Sequence, residues 1–303
     1  MIDFHQRRYA KIVINGRMST KSCNLRPYIK LIVDMKKYVF PSCAFVAVCV
    51  CCLAGLLMSC HKSGQTAGAV DTMKVDTLGF SREEANVSVK YSVDYPAEGS
   101  EPLLHAVREF VSETLGDAYT GNLSVGDSLV SFYGQSSFDS LKKDMREYGG
   151  PSDMPMVVQS SVKKIYDTDR LVTFLTETYT YLGGAHGGTT ISAATFRKSD
   201  GRRFGSEILK DYYSEVFTEA VKDGLKRYFK VRSDADLEAC LLDVQVYNIP
   251  LPKNPPYFTQ DGLTFVYQQY EIAPYAAGMP TFSIPYDVAK GLLLHAAADL
   301  IDR

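Results

Sequence analysis

Two short stretches hold the residues best suited to chemistry. In Gly183-Gly184-Ala185-His186-Gly187-Gly188, four glycines surround one imidazole. Glycine lets a backbone approach a ligand closely or take positive φ, and histidine changes charge near neutral pH, so His186 suits an acid, a base or a metal ligand. Tyr270-Glu271-Ile272-Ala273-Pro274-Tyr275 sets a carboxyl among tyrosines. Desolvation among rings favours the neutral form of a carboxyl, which makes Glu271 a candidate general acid. Each stretch also has a plainer reading, and it is the favoured one. The glycines then form a loop joining two strands with His186 hydrogen-bonded inside it, and Glu271 satisfies backbone donors where a strand turns at a proline.

His186 and Glu271 are therefore the catalytic candidates, each set against a structural role. The candidate ligand contacts are Tyr181, Gly184, His186, Gly187, Glu271 and Tyr275. No second carboxylate can be paired with Glu271 from spacing alone, so the two-carboxylate pattern of glycosidases is not legible. Ser140-Leu141-Lys142-Lys143 has S-x-x-K spacing on a polar helix face without companion motifs. The chain has no Walker loop, HExxH, G-x-S-x-G or GxGxxG, and neither a cofactor nor a metal is expected. The 20 tyrosines and the absence of tryptophan suit amphipathic contact surfaces, although sheet and core packing accounts for most of them.

The elements that must carry these residues are readable from periodicity. Val87, Val89, Tyr91, Val93 and Tyr95 alternate with polar residues over 86–95, which predicts a strand with one wet face. Ser100 offers an N-cap and Pro102 a first turn for a helix carrying Leu103, Val107, Phe110, Val111 and Leu115. A second helix is expected over 127–148, with Leu129, Phe132, Tyr133, Phe138, Leu141 and Met145 at helical spacing. Strands follow at 156–166, 171–181 and 189–197, punctuated by Asp167-Thr168-Asp169 and Ser199-Asp200-Gly201. Tyr213, Val216, Phe217, Ala220, Tyr228 and Phe229 mark a helix, and another is expected over 234–242. A hairpin over 258–272 turns at Asp261-Gly262, a short strand holds Phe282 and Ile284, and a closing helix runs over 287–302. Strands and helices in runs, without βαβ alternation, give an α+β class: antiparallel sheets packed with helices, in two linked halves.

Ahead of this lies an apolar run. Lys36 and Lys37 precede the 20 residues from Val39 to Met58, and Leu57-Met58-Ser59-Cys60 ends it as a lipobox would. A stretch of about 20 apolar residues also reaches across a bilayer, so a retained helix is the competing reading. The expectation is a lipoprotein signal peptide at 35–59 starting from Met35, with 1–34 a mis-annotated extension. Cys60 then carries acyl chains, two or more of which hold a protein on a membrane. Of the seven cysteines, six are Cys60 or lie before it, which leaves Cys240 as a small buried apolar residue. Residues 1–59 carry 9 Lys and Arg against 2 Asp and Glu, so residues 60–303 stand near -9. That balance disfavours nucleic acid as a partner.

Two signatures resemble a known family. Tyr179 to Gly188, followed by Thr195-Phe196 and the Ser199-Asp200-Gly201 turn, resembles a "Y-x-GGAH-G" segment, and Tyr270 to Gly278, followed by Phe282 to Tyr286, resembles "YEIAPYAAG" and a short strand. Both are found in order in a bacterial extracytoplasmic family of unknown function. It forms the ectodomain of RsiV-type anti-sigma factors and also occurs beside polysaccharide deacetylase domains. The resemblance covers about residues 85–296. It implies an α+β fold of two linked halves and a role in the cell envelope, where relatives with an assigned role bind or sense a lysozyme-like muramidase. Arg197 stands where that family commonly has an acidic residue, and residues 1–34 do not look like a sigma-binding region, so only the binding role transfers.

The expected organisation is thus a tether at 60–72, an N-terminal α+β half at 73–182 and an RsiV-like C-terminal half at 183–303. The expected function is a lipid-anchored extracytoplasmic module that binds a lysozyme-like protein or peptidoglycan without catalysis. The alternative is a hydrolase of envelope polysaccharide using His186 and Glu271.

Overall fold

Val87, Val89, Tyr91, Val93 and Tyr95 are all buried, and the strand that carries them, β2 (Val87–Glu98), is where the larger core begins. The structure is a computed structural model that describes residues 72–148 and 154–301. The expected extension, the signal peptide and Cys60 lie outside the described residues. Among the described residues no helix is long and apolar enough to cross a membrane. An unanticipated strand, β1 (Lys74–Glu84), pairs antiparallel with β2 and forms the edge of the sheet. Its side chains are largely exposed, so it lacks the buried alternation that reveals a strand in sequence. Only Val75, Leu78 and Phe80 lean on the core.

Two helices follow, α1 (Glu101–Leu115) and α2 (Gly126–Tyr148). Leu103, Val107, Phe110 and Val111 of α1 and Leu129, Tyr133, Phe138 and Leu141 of α2 are buried against β2, while Phe132 is exposed. Ser100 is extended, as an N-cap should be, yet its hydroxyl donates to Lys198 O at 3.3 Å and does not accept from the amides of the first helical turn. Because the two helices intervene, β3 (Met156–Asp167) returns beside β2 in the same direction, from Val87↔Met156 to Val93↔Val162. Parallel neighbours need such a crossover. The other ladders among the described residues are antiparallel. β4 (Leu171–Leu182), β5 (Gly188–Arg197) and β6 (Arg203–Phe204) complete a six-stranded sheet in chain order. Gly201 closes the β5–β6 turn at φ 73, where a Cβ would collide with Pro102 O.

The rest of the chain builds a smaller assembly on the other face of that sheet. α3 (Glu215–Phe229) is capped by Ser214, whose Oγ accepts from Phe217 N at 3.3 Å. Phe217, Val221 and Leu225 form its buried stripe, whereas Tyr213 and Val216, expected among its apolar markers, are 83% and 66% exposed. α4 (Asp234–Glu238) stops short of the expected 242. β7 (Tyr257–Thr259), β8 (Gly262–Val266) and β9 (Thr281–Ile284) form a three-stranded antiparallel sheet. The closing helix is broken into α5 (Tyr286–Leu292) and α6 (His295–Ala298). Leu293 is extended and pairs with Leu209, and Leu292 O and Leu294 N bond to Lys210 and Ile208, a ladder that a continuous helix would exclude.

The two assemblies have separate apolar clusters. One gathers Val87 to Phe196 beneath α1 and α2, and the other gathers Leu171 and Phe204 with Phe217, Phe258, Phe265 and Leu292. Each fully buried phenylalanine contributes roughly 1.5–3 kcal/mol. A buried polar contact fastens them: Thr173 Oγ1 donates to Phe258 O and Phe258 N donates to Thr195 Oγ1, at 2.8 and 3.0 Å. The expected boundary at 182/183 falls at the tip of the β4–β5 hairpin, both arms of which belong to one sheet. Cys240 is buried.

Candidate functional site

The glycine loop is the link between β4 and β5. Gly183 takes φ 81, which favours glycine, and a Cβ at Gly187 would overlap the Tyr179 ring. A Cβ at Gly184 would meet only His186 O, at an ordinary contact distance of 3.9 Å, so local geometry favours glycine at two of the loop's positions and not at this one. Tyr181 OH donates to Gly184 O at 3.0 Å and pins the loop to β4. His186 is exposed, with Nδ1 2.9 Å from Gly187 O. A proton on Nδ1 makes that contact a hydrogen bond and leaves Nε2 as an acceptor, 3.5 Å from Tyr270 OH.

The second signature meets the first here. Tyr275 stacks on His186 with ring centres 3.8 Å apart and an interplanar angle of 23°, and its hydroxyl donates to Gly187 O at 2.9 Å. Tyr270 closes the cluster, 6.5 Å from His186 and 5.8 Å from Tyr275 between ring centres. Its φ is 65, a strained position for a bulky residue, and it remains half exposed. Gln268 and Gln269 fix the neighbouring edge of β5. Gln268 accepts from Ile191 N at 3.0 Å and donates to Ile191 O at 2.9 Å, as a neighbouring strand would, and Gln269 accepts from Thr189 N.

Glu271 does something else. Its Oε2 accepts from Gln268 N and its Oε1 from Lys253 N, both at 2.7 Å, which ties the turn to the proline-rich segment 250–256. Tyr267 donates to Pro250 O at 2.8 Å in the same joint. Burial pushes the Tyr267 phenol well above its ordinary range, and the charge on Glu271 adds to the shift. Tyr181, Gly184, His186, Gly187 and Tyr275 thus come together, and the Glu271 carboxylate is turned to the backbone beneath them. An acid–base pair of His186 and Glu271 is not formed by this arrangement. Among the described residues no group of three or more His, Cys, Asp and Glu is placed to hold a metal ion.

Sequence reasoning passed over Tyr270 as a contact, and Gln268 and Gln269 entirely. The signal available was their position beside the second signature. It also passed over an open groove of about 280 Å³ on the helix-bearing face of β4 and β5, lined by Glu113, Thr114, Thr176, Thr178, Thr190, Ser192 and Arg203. There the alternating residues of β4 change from Val172 and Phe174 to Thr176 and Thr178, a change of face chemistry visible in the sequence.

Comparison with known proteins finds a match to part of the chain. Residues 206–287 match the model of DUF3298, a protein family of unknown function. The matched segment contains the Tyr270–Gly278 signature and begins after the histidine loop. Two solved structures of DUF3298 proteins resemble about three quarters of the chain. A member of the family from Bacteroides fragilis has 18% identity and a TM-score of 0.60, covering 77% of this chain and 99% of its own. A DUF3298 family protein from Pseudomonas aeruginosa has 19% identity and a TM-score of 0.53, covering 74% and 96%. At these identities the likeness establishes the α+β fold alone. No curated protein matches the chain.

Proposed function

We propose that the protein is a binding module of the bacterial cell envelope, held by lipid on Cys60, whose histidine loop presents an aromatic face to a protein ligand. One observation carries this reading: the exposed His186 ring is stacked on Tyr275 and held by Gly187 O, while both Glu271 oxygens are committed to backbone amides. Rigid rings with polar tips are the kind of surface that dominates protein interfaces. The same commitments count against His186 and Glu271 acting together in hydrolysis, because a general acid must reach the substrate. The RsiV-like resemblance makes a lysozyme-like muramidase the leading ligand, with peptidoglycan as the other.

Retention of the protein on immobilised muramidase, measured beside insoluble peptidoglycan, tests the reading. Binding of the muramidase that is lost in His186→Ala and Tyr275→Ala, with both variants still folded, is expected. Release of soluble fragments from peptidoglycan by the purified protein would overturn it in favour of a hydrolase. The address is tested separately: blocking the lipoprotein signal peptidase should accumulate a larger precursor, and an unchanged mass would remove the lipid anchor from the reading.

A further inference from the structure

We propose that the groove over β4 and β5 is a second binding site, one that takes a neutral polyhydroxyl ligand such as a sugar unit of a glycan. The antiparallel register sets Thr176 opposite Ser192 and Thr178 opposite Thr190, so four hydroxyl side chains form a patch on one face of the sheet. Thr178 is bonded to Ser160 Oγ at 2.8 Å. Thr176, which lines the groove, is only 4% exposed, and its hydroxyl is buried with no hydrogen-bond partner among the described residues. A buried hydroxyl without a partner is costly, and a valine would continue the apolar face begun by Val172 and Phe174. The threonine thus keeps an unanswered donor and acceptor at the wall of the groove, where packing alone calls for neither.

The rim sets the class of ligand. Arg203 Nη1 lies 2.5 Å from Glu113 Oε2, at the end of α1, so the one cation that lines the groove among the described residues is already paired, and these residues leave no net positive charge to attract an anion. Hydroxyls that both donate and accept, beside a guanidinium that only donates and a carboxylate that only accepts, complement the vicinal hydroxyls of a sugar. The volume is near the lower end of the about 300–1,000 Å³ typical of ligand pockets, which suits a single ring, and the open side leaves room for a chain to continue. None of the residues lining the groove belongs to the His186 loop or to the Tyr270–Tyr275 stretch.

Calorimetric titration of the full chain with N-acetylglucosamine, glucose, galactose and their soluble oligomers tests the proposal. Saturable binding of at least one, roughly millimolar, is expected, weakened about tenfold in Thr176→Val and in Arg203→Ala but unchanged in His186→Ala. Thr176→Val should also raise Tm, so lost binding cannot be ascribed to lost folding. Binding of the monomer marks a terminal or free sugar, and binding of oligomers alone marks an internal unit of a chain; either supports the site. No binding across the panel, affinity that survives Thr176→Val, or a preference for inorganic phosphate would each overturn it.

Discussion

The histidine loop and the threonine groove share one hairpin and are built on opposite logic. In the loop, polar groups are answered locally: Gly187 O faces two donors, Gly184 O takes Tyr181, and the β5 edge is covered by Gln268 and Gln269. In the groove, a buried hydroxyl on Thr176 is left without a partner among the described residues. A conspicuous motif can therefore be largely self-satisfied, offering the aromatic face of His186, Tyr270 and Tyr275. An inconspicuous run of threonines can hold the unmet hydrogen-bonding capacity that a small ligand would use.

The contrast can be broken at several points. Glu271→Ala should have the largest effect, a loss of about 3 kcal/mol in urea unfolding, because two backbone donors lose a charged acceptor; a loss under about 1 kcal/mol would free Glu271 for another role. Gln268→Ala should cost about 1–2 kcal/mol and speed amide exchange at Ile191, whose N–H it covers. His186→Ala should cost less than about 1 kcal/mol, since the ring is exposed and its bond is local, so a larger loss would return the loop to a purely structural role. The smallest effect lies in the β5–β6 turn beside the groove. There hydrogen bonding from Arg197 and from the backbone of Arg202 holds the Asp200 carboxyl down to about 2. A depressed carboxyl stabilises the fold above about pH 4 and loses that contribution as pH falls through about 2. Asp200→Asn should therefore be slightly less stable than wild type at pH 7, and the gap should close on acidification.

What could be seen in advance follows from how much of each element is buried on one side. The strands at 87–98, 156–167, 171–182 and 188–197 and the helix at 126–148 were legible because their apolar residues repeat with the period of the element. β1 was not, because an edge strand with mostly wet side chains carries no such repeat. The closing helix was misread as continuous, since Leu293 has a helical neighbour pattern but is drawn into a bridge with Leu209, a distant contact that local periodicity cannot encode. In the site, His186, Gly187 and Tyr275 were marked by their composition and do meet. Tyr270 and the two glutamines were not, because their roles depend on a backbone reversal at φ 65 and on an adjacent sheet edge. The groove was missed for a simpler reason. Threonine is common in strands, and only the three-dimensional register shows that four hydroxyls share one face.

Urea unfolding of Thr176→Val beside wild type bears most directly on the idea that the groove holds a polar group kept for something other than folding. Replacing an unpartnered buried hydroxyl with an isosteric methyl should raise the unfolding free energy by about 1 kcal/mol. A fall of similar size would mean that the hydroxyl is satisfied in the folded protein, and the contrast between groove and loop would collapse.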